Sequence, residues 1–477
     1  VTEKILQFGT GRFLRAFADC FIDEAIESNQ YDGRIVMVAS TASGRVELLN
    51  NKNGRYHLWT RGMGPDGLTN SLRSINAVSR AMSADSQWDD ILRIVENPDL
   101  EAVISNTTEV GLSLVEQDEL SFPKSYPGRL CALLYSRAEY FDYSTSKGLI
   151  ILPCELIESN GDLLRTLIIS QAKRWNLGEQ FLHWLTHSTI FCNTLVDRIV
   201  PGLPEDTELE SAFTQLGYRD ELLTVCEPYR LWAIQGDGLL IEKLSFLKNA
   251  QGIIVAPDIE PYRIRKIRLL NGGHSLMVPI SYLAGCRTVL ESMMHPLVSI
   301  FVESLLRNEI GPVIPVDLDT IDPYIDEVTE RWRNPYMHHQ LTDIMMQCTT
   351  KFRHRVVPTI VEYYDQSPDG PAPPLISLGF AGWFYSMRGF GDFDDSLAHW
   401  SPSSHPFPDD YLEEFHQWWP SDHQLLPEFV NTVLSNQEIW GISLSEFPGL
   451  SDAIYTFLHT ICTDGIDIIL NDTSLFS

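Results

Sequence analysis

With 477 residues, 44% of them hydrophobic, the chain is long enough to bury two or three domain cores. Its 64 acidic residues outnumber 35 basic ones, and the formal charge of −29 repels phosphate backbones and anionic membranes, which argues against nucleic-acid and membrane partners. There is no apolar run of roughly 18 residues, the start VTEKILQF lacks the layout of a secretory leader, and the cysteines show no C-x-x-C pair, so a cytoplasmic protein with reduced thiols is expected.

The N-terminal part alternates strands and helices. KILQF (4–8) reads as an apolar strand. In the RFLRAFADCFIDEAI that follows, Phe13, Phe17 and Phe21 recur every fourth residue beside Leu14, Ala18 and Ile22, which predicts one amphipathic helix. RIVMVAS (34–40) predicts a second buried strand, and HLWTRGMGPDGLTNSLRSI a hairpin turned at Gly64-Pro65-Asp66-Gly67. SQWDDILRIVEN is helical and LEAVISN (100–106) a strand. A helix near 127–140, a strand in GLIILPCEL (148–156) and the helix GDLLRTLIISQAKRW complete the series. Such alternation predicts a parallel sheet covered by helices on both faces.

FGTGRFLRA (8–16) lies between the first strand and the first helix, where a phosphate-binding turn belongs. Gly9 permits the tight turn, Gly11 lets backbone approach a pyrophosphate, and the helix start at Arg12 and Phe13 supplies N–H groups. Leu14 occupies the place of the third glycine in G-x-G-x-x-G. After the second strand, where an NAD site usually carries an acid, the chain offers Ala39-Ser40-Thr41-Ala42-Ser43-Gly44-Arg45. Hydroxyls and an arginine would also suit a 2′-phosphate, so the residues alone leave NAD or NADP open. In SNTTEVG, Asn106 and Thr107 are expected beside the cofactor, with Glu109 ending a strand on that side.

Beyond residue 258 helical periodicity takes over, over 264–290, 296–309, 320–332, 337–350, 376–388, 408–418, 426–435 and 450–470. The expected division is therefore a dinucleotide-binding domain over 1–258 and an all-α domain over 259–477. Within the first of these helices, RKIRLLNGGHS places Lys266, Asn271 and His274 within nine positions. At 3.6 residues per turn Asn271 stands roughly 140° from Lys266 with His274 between them, so all three can face one cleft. The pair Gly272-Gly273 costs about 1 kcal/mol per residue relative to alanine, so something else must require it.

Several stretches in this order and spacing, "FGTGRFLRAF", "SNTTEVG", "PCELIESNGD", "LVDRIV", "RKIRLLNGGHS" and "RWRNPY…TKFR", resemble the long-chain polyol dehydrogenase/reductase family that includes mannitol dehydrogenase. The likeness runs from near residue 4 to the C-terminus and is strongest to members that interconvert D-tagaturonate and D-altronate. It implies a Rossmann-like N-terminal domain, an α-helical C-terminal domain, NADH as cofactor and no metal. It also implies Lys266 as general acid/base, Asn271 and His274 as groups that polarise the substrate oxygen, Asn160 in ESNGD as a cofactor-side residue, and Asp197 in V-D-R as a contact of substrate hydroxyls. Hydride transfer to a ketone leaves an alkoxide, which needs a proton donor and fixed hydrogen-bond donors, and those three residue types supply them.

Two segments are basic against the acidic background: Arg263, Arg265, Lys266 and Arg268, then Lys351, Arg353, His354 and Arg355. A keto-uronate needs such groups for its carboxylate, and Lys351, in the T-K-F segment, ranks first, with Arg263 beside it. Neutral-polyol members resemble this chain less at Asp343, where they carry an arginine. The histidines at 338–339, 405, 416 and 423 lack metal-ligand spacing. Fructuronate reduction, neutral-polyol oxidation and a non-catalytic NAD-binding redox sensor remain open alternatives, although a sensor has no use for the Lys-Asn-His set.

Overall fold

The computed structural model describes residues 2–40, 45–64, 67–107, 111–388, 405–420 and 422–476. Thr41 to Gly44, the turn residues Pro65 and Asp66, and Glu109 lie outside the described residues. The chain divides into two units, Val1–Ile259 and Glu260–Ser477.

Unit 1 carries the strands β1 (Thr2–Phe8), β2 (Gly33–Ala39), β3 (Tyr56–Gly64), β4 (Gly67–Ile75), β5 (Val78–Ser83), β6 (Ala102–Ser105), β7 (Ile150–Pro153), β8 (Ile190–Phe191), β9 (Thr194–Asp197), β10 (Thr224–Cys226), β11 (Leu231–Gln235) and β12 (Ile253–Ala256). Six of them form the expected sheet, in the order β5-β2-β1-β6-β7-β8, and every pairing in it is parallel. Neighbouring residues of the central strands belong to different cores, as a sheet covered on both sides requires. Ile5, Met37, Ile104 and Leu152 pack on one face with Phe17, Phe21 and Trp232. Leu6, Val36, Val103 and Ile151 pack on the other with Trp88, Leu130 and Ile168.

This order fixes where a ligand can go. From β1 the chain first builds one side of the sheet, through β2 and β5, and then crosses to β6 on the other. A crevice opens at such a switch point, outside the carboxyl ends of the strands. Phe8 is level with Val38 on one side and Ser105 on the other, so Gly9–Gly11 and Asn106–Thr107 flank that crevice.

The first helix departs from the periodicity. It is two segments, Arg12–Ala16 and Ala18–Glu27, separated at Phe17, whose backbone (φ −124, ψ −86) is not helical. The apolar face holds, since Phe17 and Phe21 are fully buried. The break releases the carbonyls of Arg15 and Ala16, which accept from Tyr56 Oη at 2.8 Å and from Arg198 Nη1. Distant side chains thus take hydrogen bonds that a continuous helix would have used itself. The hairpin forms as expected, β3 pairing antiparallel with β4 up to Gly64 opposite Gly67, and β10 extends it to three strands.

In unit 2 every element longer than a bridge is helical among the described residues. The predicted helix over 264–290 is Glu260–Arg265, a π-helix Lys266–Gly272 and an α-helix Gly273–Leu283, ending before Gly285 at φ +88. Gly273–Leu283 seats against Pro374–Arg388 through two glycines: a Cβ at Gly379 would meet Leu276 at 2.4 Å, and one at Gly382 would meet Ile280 at 2.7 Å. The predicted helix over 337–350 is replaced by Leu341–Met345 and Cys348–Arg355, with Gln347 left-handed (φ +53) between them. Asp409 causes the restart by accepting the Thr349 amide at 2.8 Å. Among the described residues no helix is long and apolar enough to cross a membrane.

Candidate active site

The glycine turn has the shape a dinucleotide needs. Gly9 sits at φ +128 with Asn106 O 3.2 Å and Leu14 Cδ1 3.1 Å from where a Cβ would be, so both its conformation and its space demand glycine. Leu14, in place of a third glycine, is buried over that turn. Gly11 is different: its backbone is ordinary (φ −67, ψ 164), and no atom lies within 4 Å of a built Cβ. Nothing in the fold requires glycine there, and the open space over it is what an approaching pyrophosphate would fill. Arg12 is exposed, Phe13 stacks on Phe17 at 5.0 Å, and burial first, then Arg45 and Arg12, disfavour the charge of Arg15.

The other sequence-predicted residues of unit 1 cluster at the carboxyl ends of the strands, in a network that braces the crevice. Asn106 donates from Nδ2 to Cys154 O at 2.6 Å. Thr107 donates its amide to Glu155 Oε1 at 2.9 Å. Asn160 is fully buried; its Nδ2 donates to Pro153 O, Glu155 O and Thr194 O, and its Oδ1 accepts from Thr194 N at 2.9 Å. It clasps the end of β7 to the start of β9. Gly161 follows because a Cβ there would lie 2.4 Å from Cys192 O. Asp197 ends β9, buried, opposite Leu231. Glu155, which the sequence reading did not single out, is buried beneath Ser105 and Thr107, and burial pushes its carboxyl above the ordinary value.

In unit 2 the π-helix changes the geometry of the motif. Its i→i+5 pattern widens each turn, so Lys266 and Asn271, five residues apart, come toward one face instead of standing roughly 140° apart. The glycine pair now has a packing reason. A Cβ at Gly272 would meet Arg355 O at 3.2 Å, and one at Gly273 would meet Leu306 at 2.8 Å and Trp332 at 3.1 Å. Close helix packing lets His274 stack on Trp332, with ring centroids 4.5 Å apart, and meet His339 edge-on at 5.7 Å.

His274 is buried and its Nε2 has no hydrogen-bond partner. Burial, and after it His339, Arg355, Arg331 and Lys351, hold its pKa well below 6.5, so the ring is neutral. A neutral imidazole can donate or accept one hydrogen bond but does not carry a proton to deliver. Lys266 and Asn271 are partly exposed.

The two basic segments fare differently. Arg263 gives Nε and Nη2 to Glu260, and Arg268 pairs with Glu362 at 3.0 Å, so the expected cations of the site helix are engaged within the protein. Lys351 stands one turn from Arg355 on Cys348–Arg355, both partly buried. Lys351 Nζ donates to Ile344 O at 2.7 Å, and Arg355 Nη1 lies 3.5 Å from Asn271 O and 3.4 Å from Ser275 Oγ. Sequence reasoning missed His339, Trp332 and Arg331 as neighbours of His274; the only local signal was the RWRNPY stretch.

The models of two family domains match the chain: the mannitol dehydrogenase Rossmann domain over residues 3–248 and the mannitol dehydrogenase C-terminal domain over 258–462. An altronate oxidoreductase of Bacillus subtilis (strain 168) is 35% identical, across 96% of this chain and 92% of its own. One of Yersinia pestis is 36% identical, across 97% and 95%. Among solved structures, Pseudomonas fluorescens mannitol 2-dehydrogenase, in a ternary complex with NAD and D-mannitol, superposes with a TM-score of 0.69 at 21% identity, covering 99% of this chain and 94% of that one. A substrate-free D-sorbitol dehydrogenase does so with a TM-score of 0.79 at 19% identity, covering 98% and 94%. At these identities the two structures speak to the fold.

Proposed function

The chain belongs to the mannitol dehydrogenase family, and on that premise we propose that it reduces D-tagaturonate to D-altronate with a nicotinamide dinucleotide, NADH in preference to NADPH. The observation that carries the chemistry is the π-turn, which sets Lys266 and Asn271 toward one face, followed one turn on by a neutral His274 with an unpaired Nε2. The substrate assignment draws on the altronate oxidoreductases at 35% and 36% identity.

Unit 1 holds the dinucleotide: Gly9, Gly11, Arg12 and Phe13 at the pyrophosphate, and Asn106 and Thr107 on the far side of the crevice. Asn160 works as a positioning residue, through the strand ends it clasps. The nicotinamide supplies the hydride when it is bound. Lys266 protonates the developing alkoxide oxygen, while Asn271 and His274 donate hydrogen bonds to it. Because burial keeps His274 neutral, it can offer the oxygen a hydrogen bond but no proton, which leaves Lys266 as the proton source. Asp197 accepts from substrate hydroxyls, and Lys351 meets the charged end. Arg263 contributes less than the sequence suggested, because Glu260 already occupies its guanidinium.

The reverse direction gives a simple test. Purified protein should reduce NAD+ when D-altronate is added, with a kcat/KM at least tenfold above that with NADP+, a difference of about 1.4 kcal/mol. An NADP+ preference of that size would mean that Ser40 and Arg45, at the end of β2, decide the cofactor. Absence of altronate-dependent reduction with either dinucleotide would remove the proposed substrate.

A further inference from the structure

Building on the sugar-acid reading above, we propose that Lys351 and Arg355 together seat the substrate carboxylate, and that Arg355 is the residue by which the protein separates sugar acids from neutral ketoses. The two side chains stand four residues apart on Cys348–Arg355, the spacing that puts both on one face of a helix. Neither has a carboxylate partner among the described residues. Several arginines of the same unit do have one: Arg263 with Glu260, Arg268 with Glu362, Arg307 with Asp322, and Arg333 with Glu303, while Arg353, on the same helix, gives Nη1 to the Glu438 carbonyl. Asp409 lies near enough to be felt by Lys351, but its oxygens already accept from the amides of Thr349 and Tyr411.

Partly burying a cation without a counter-charge costs free energy. Both groups register that cost: burial lowers the pKa of Lys351, and that of Arg355 falls to about 10. An anion arriving from solvent would relieve it. A carboxylate matches the fork of a guanidinium, and Arg355 holds its Nη1 against Asn271 O and Ser275 Oγ. Those contacts also tie the charge to the π-turn carrying Asn271, so the anion would be registered against the residues that hold the reacting oxygen. A neutral ketose brings only hydroxyls and leaves both cations uncompensated, which selects against it.

The test is calorimetric titration of D-altronate, and of its neutral counterpart altritol, into the NADH-loaded protein. Losing a charge-assisted bond should weaken altronate about 10- to 100-fold in Arg355→Met while altritol is unchanged. Arg355→Lys, which keeps the charge and loses the fork, should recover part of the loss and guards against a misfolded Met variant. Equal weakening of both ligands, unchanged altronate affinity in both variants, or wild-type protein that binds altronate no better than altritol would each overturn the inference. Arg355-dependent altronate binding without turnover of tagaturonate would instead overturn the proposed reaction and leave the carboxylate seat standing.

Discussion

Lys266→Ala should bind NADH as the unsubstituted protein does and lose at least ~100-fold in kcat, the size expected when a proton-transfer group is removed. The surroundings offer no substitute. His274 is buried and held neutral, and Asn271 has no proton to give at any working pH. Arg263 and Arg268 are paired with Glu260 and Glu362, and a guanidinium does not deprotonate usefully. Small primary amines added to the variant should restore part of the rate, because the missing function is one proton at one oxygen. His274→Ala should cost less, since Asn271 still holds that oxygen. Steady-state kinetics beside NADH titration by fluorescence separates the two effects. Near-normal turnover in a folded Lys266→Ala would make the lysine a bystander.

Gly11→Ala should fold like the wild type and fail at the cofactor. Its backbone is in an ordinary region and its Cβ would meet no protein atom within 4 Å, so the melting temperature should hold within about 2 °C. The space it fills is the one a pyrophosphate must enter, so the Kd for NADH should rise at least ~10-fold, and further for Gly11→Asp, which adds charge repulsion. Gly9→Ala is the contrast. At φ +128, with Asn106 O 3.2 Å from the added carbon, it should lose stability by about 1–3 kcal/mol before any ligand is considered. Equal NADH affinity in Gly11→Ala would show that this turn is not the phosphate site.

Much of the architecture is legible in residue order, and the exceptions have identifiable causes. Strands β1, β2, β6 and β7 announce themselves because parallel strands buried on both faces read as unbroken apolar runs. β8 and β10, of two and three residues, are too short for any period to show, and β9, β11 and β12 form a separate sheet outside the strand–helix alternation. Periodicity also identifies the apolar face of the first helix but not its break at Phe17. That break is made by Tyr56 and Arg198, 41 and 182 residues away from the carbonyls they bind.

The site divides in the same way. Lys266, Asn271 and His274 are visible as a cluster, yet a 3.6-residue template cannot show the π-turn that brings the first two toward one face. In hindsight the five-residue spacing and the glycine pair were its traces. The neutrality of His274 comes first from burial, with Trp332 stacked on it, and then from His339 and the surrounding cations, all more than 50 positions along the chain, and no local pattern encodes it. Arg355 looked like any basic residue in a basic stretch. That it meets Asn271 O and Ser275 Oγ, and no carboxylate among the described residues, depends on contacts 80 and 84 positions away.

The proposed keto-uronate reduction is tested most directly by NADH oxidation by the purified chain with D-tagaturonate, D-fructuronate and D-fructose in parallel. The highest kcat/KM is expected for tagaturonate, with fructose at least ~100-fold lower because it brings no carboxylate to Lys351 and Arg355. Turnover of fructose as fast as tagaturonate, or of none of the three, would contradict it.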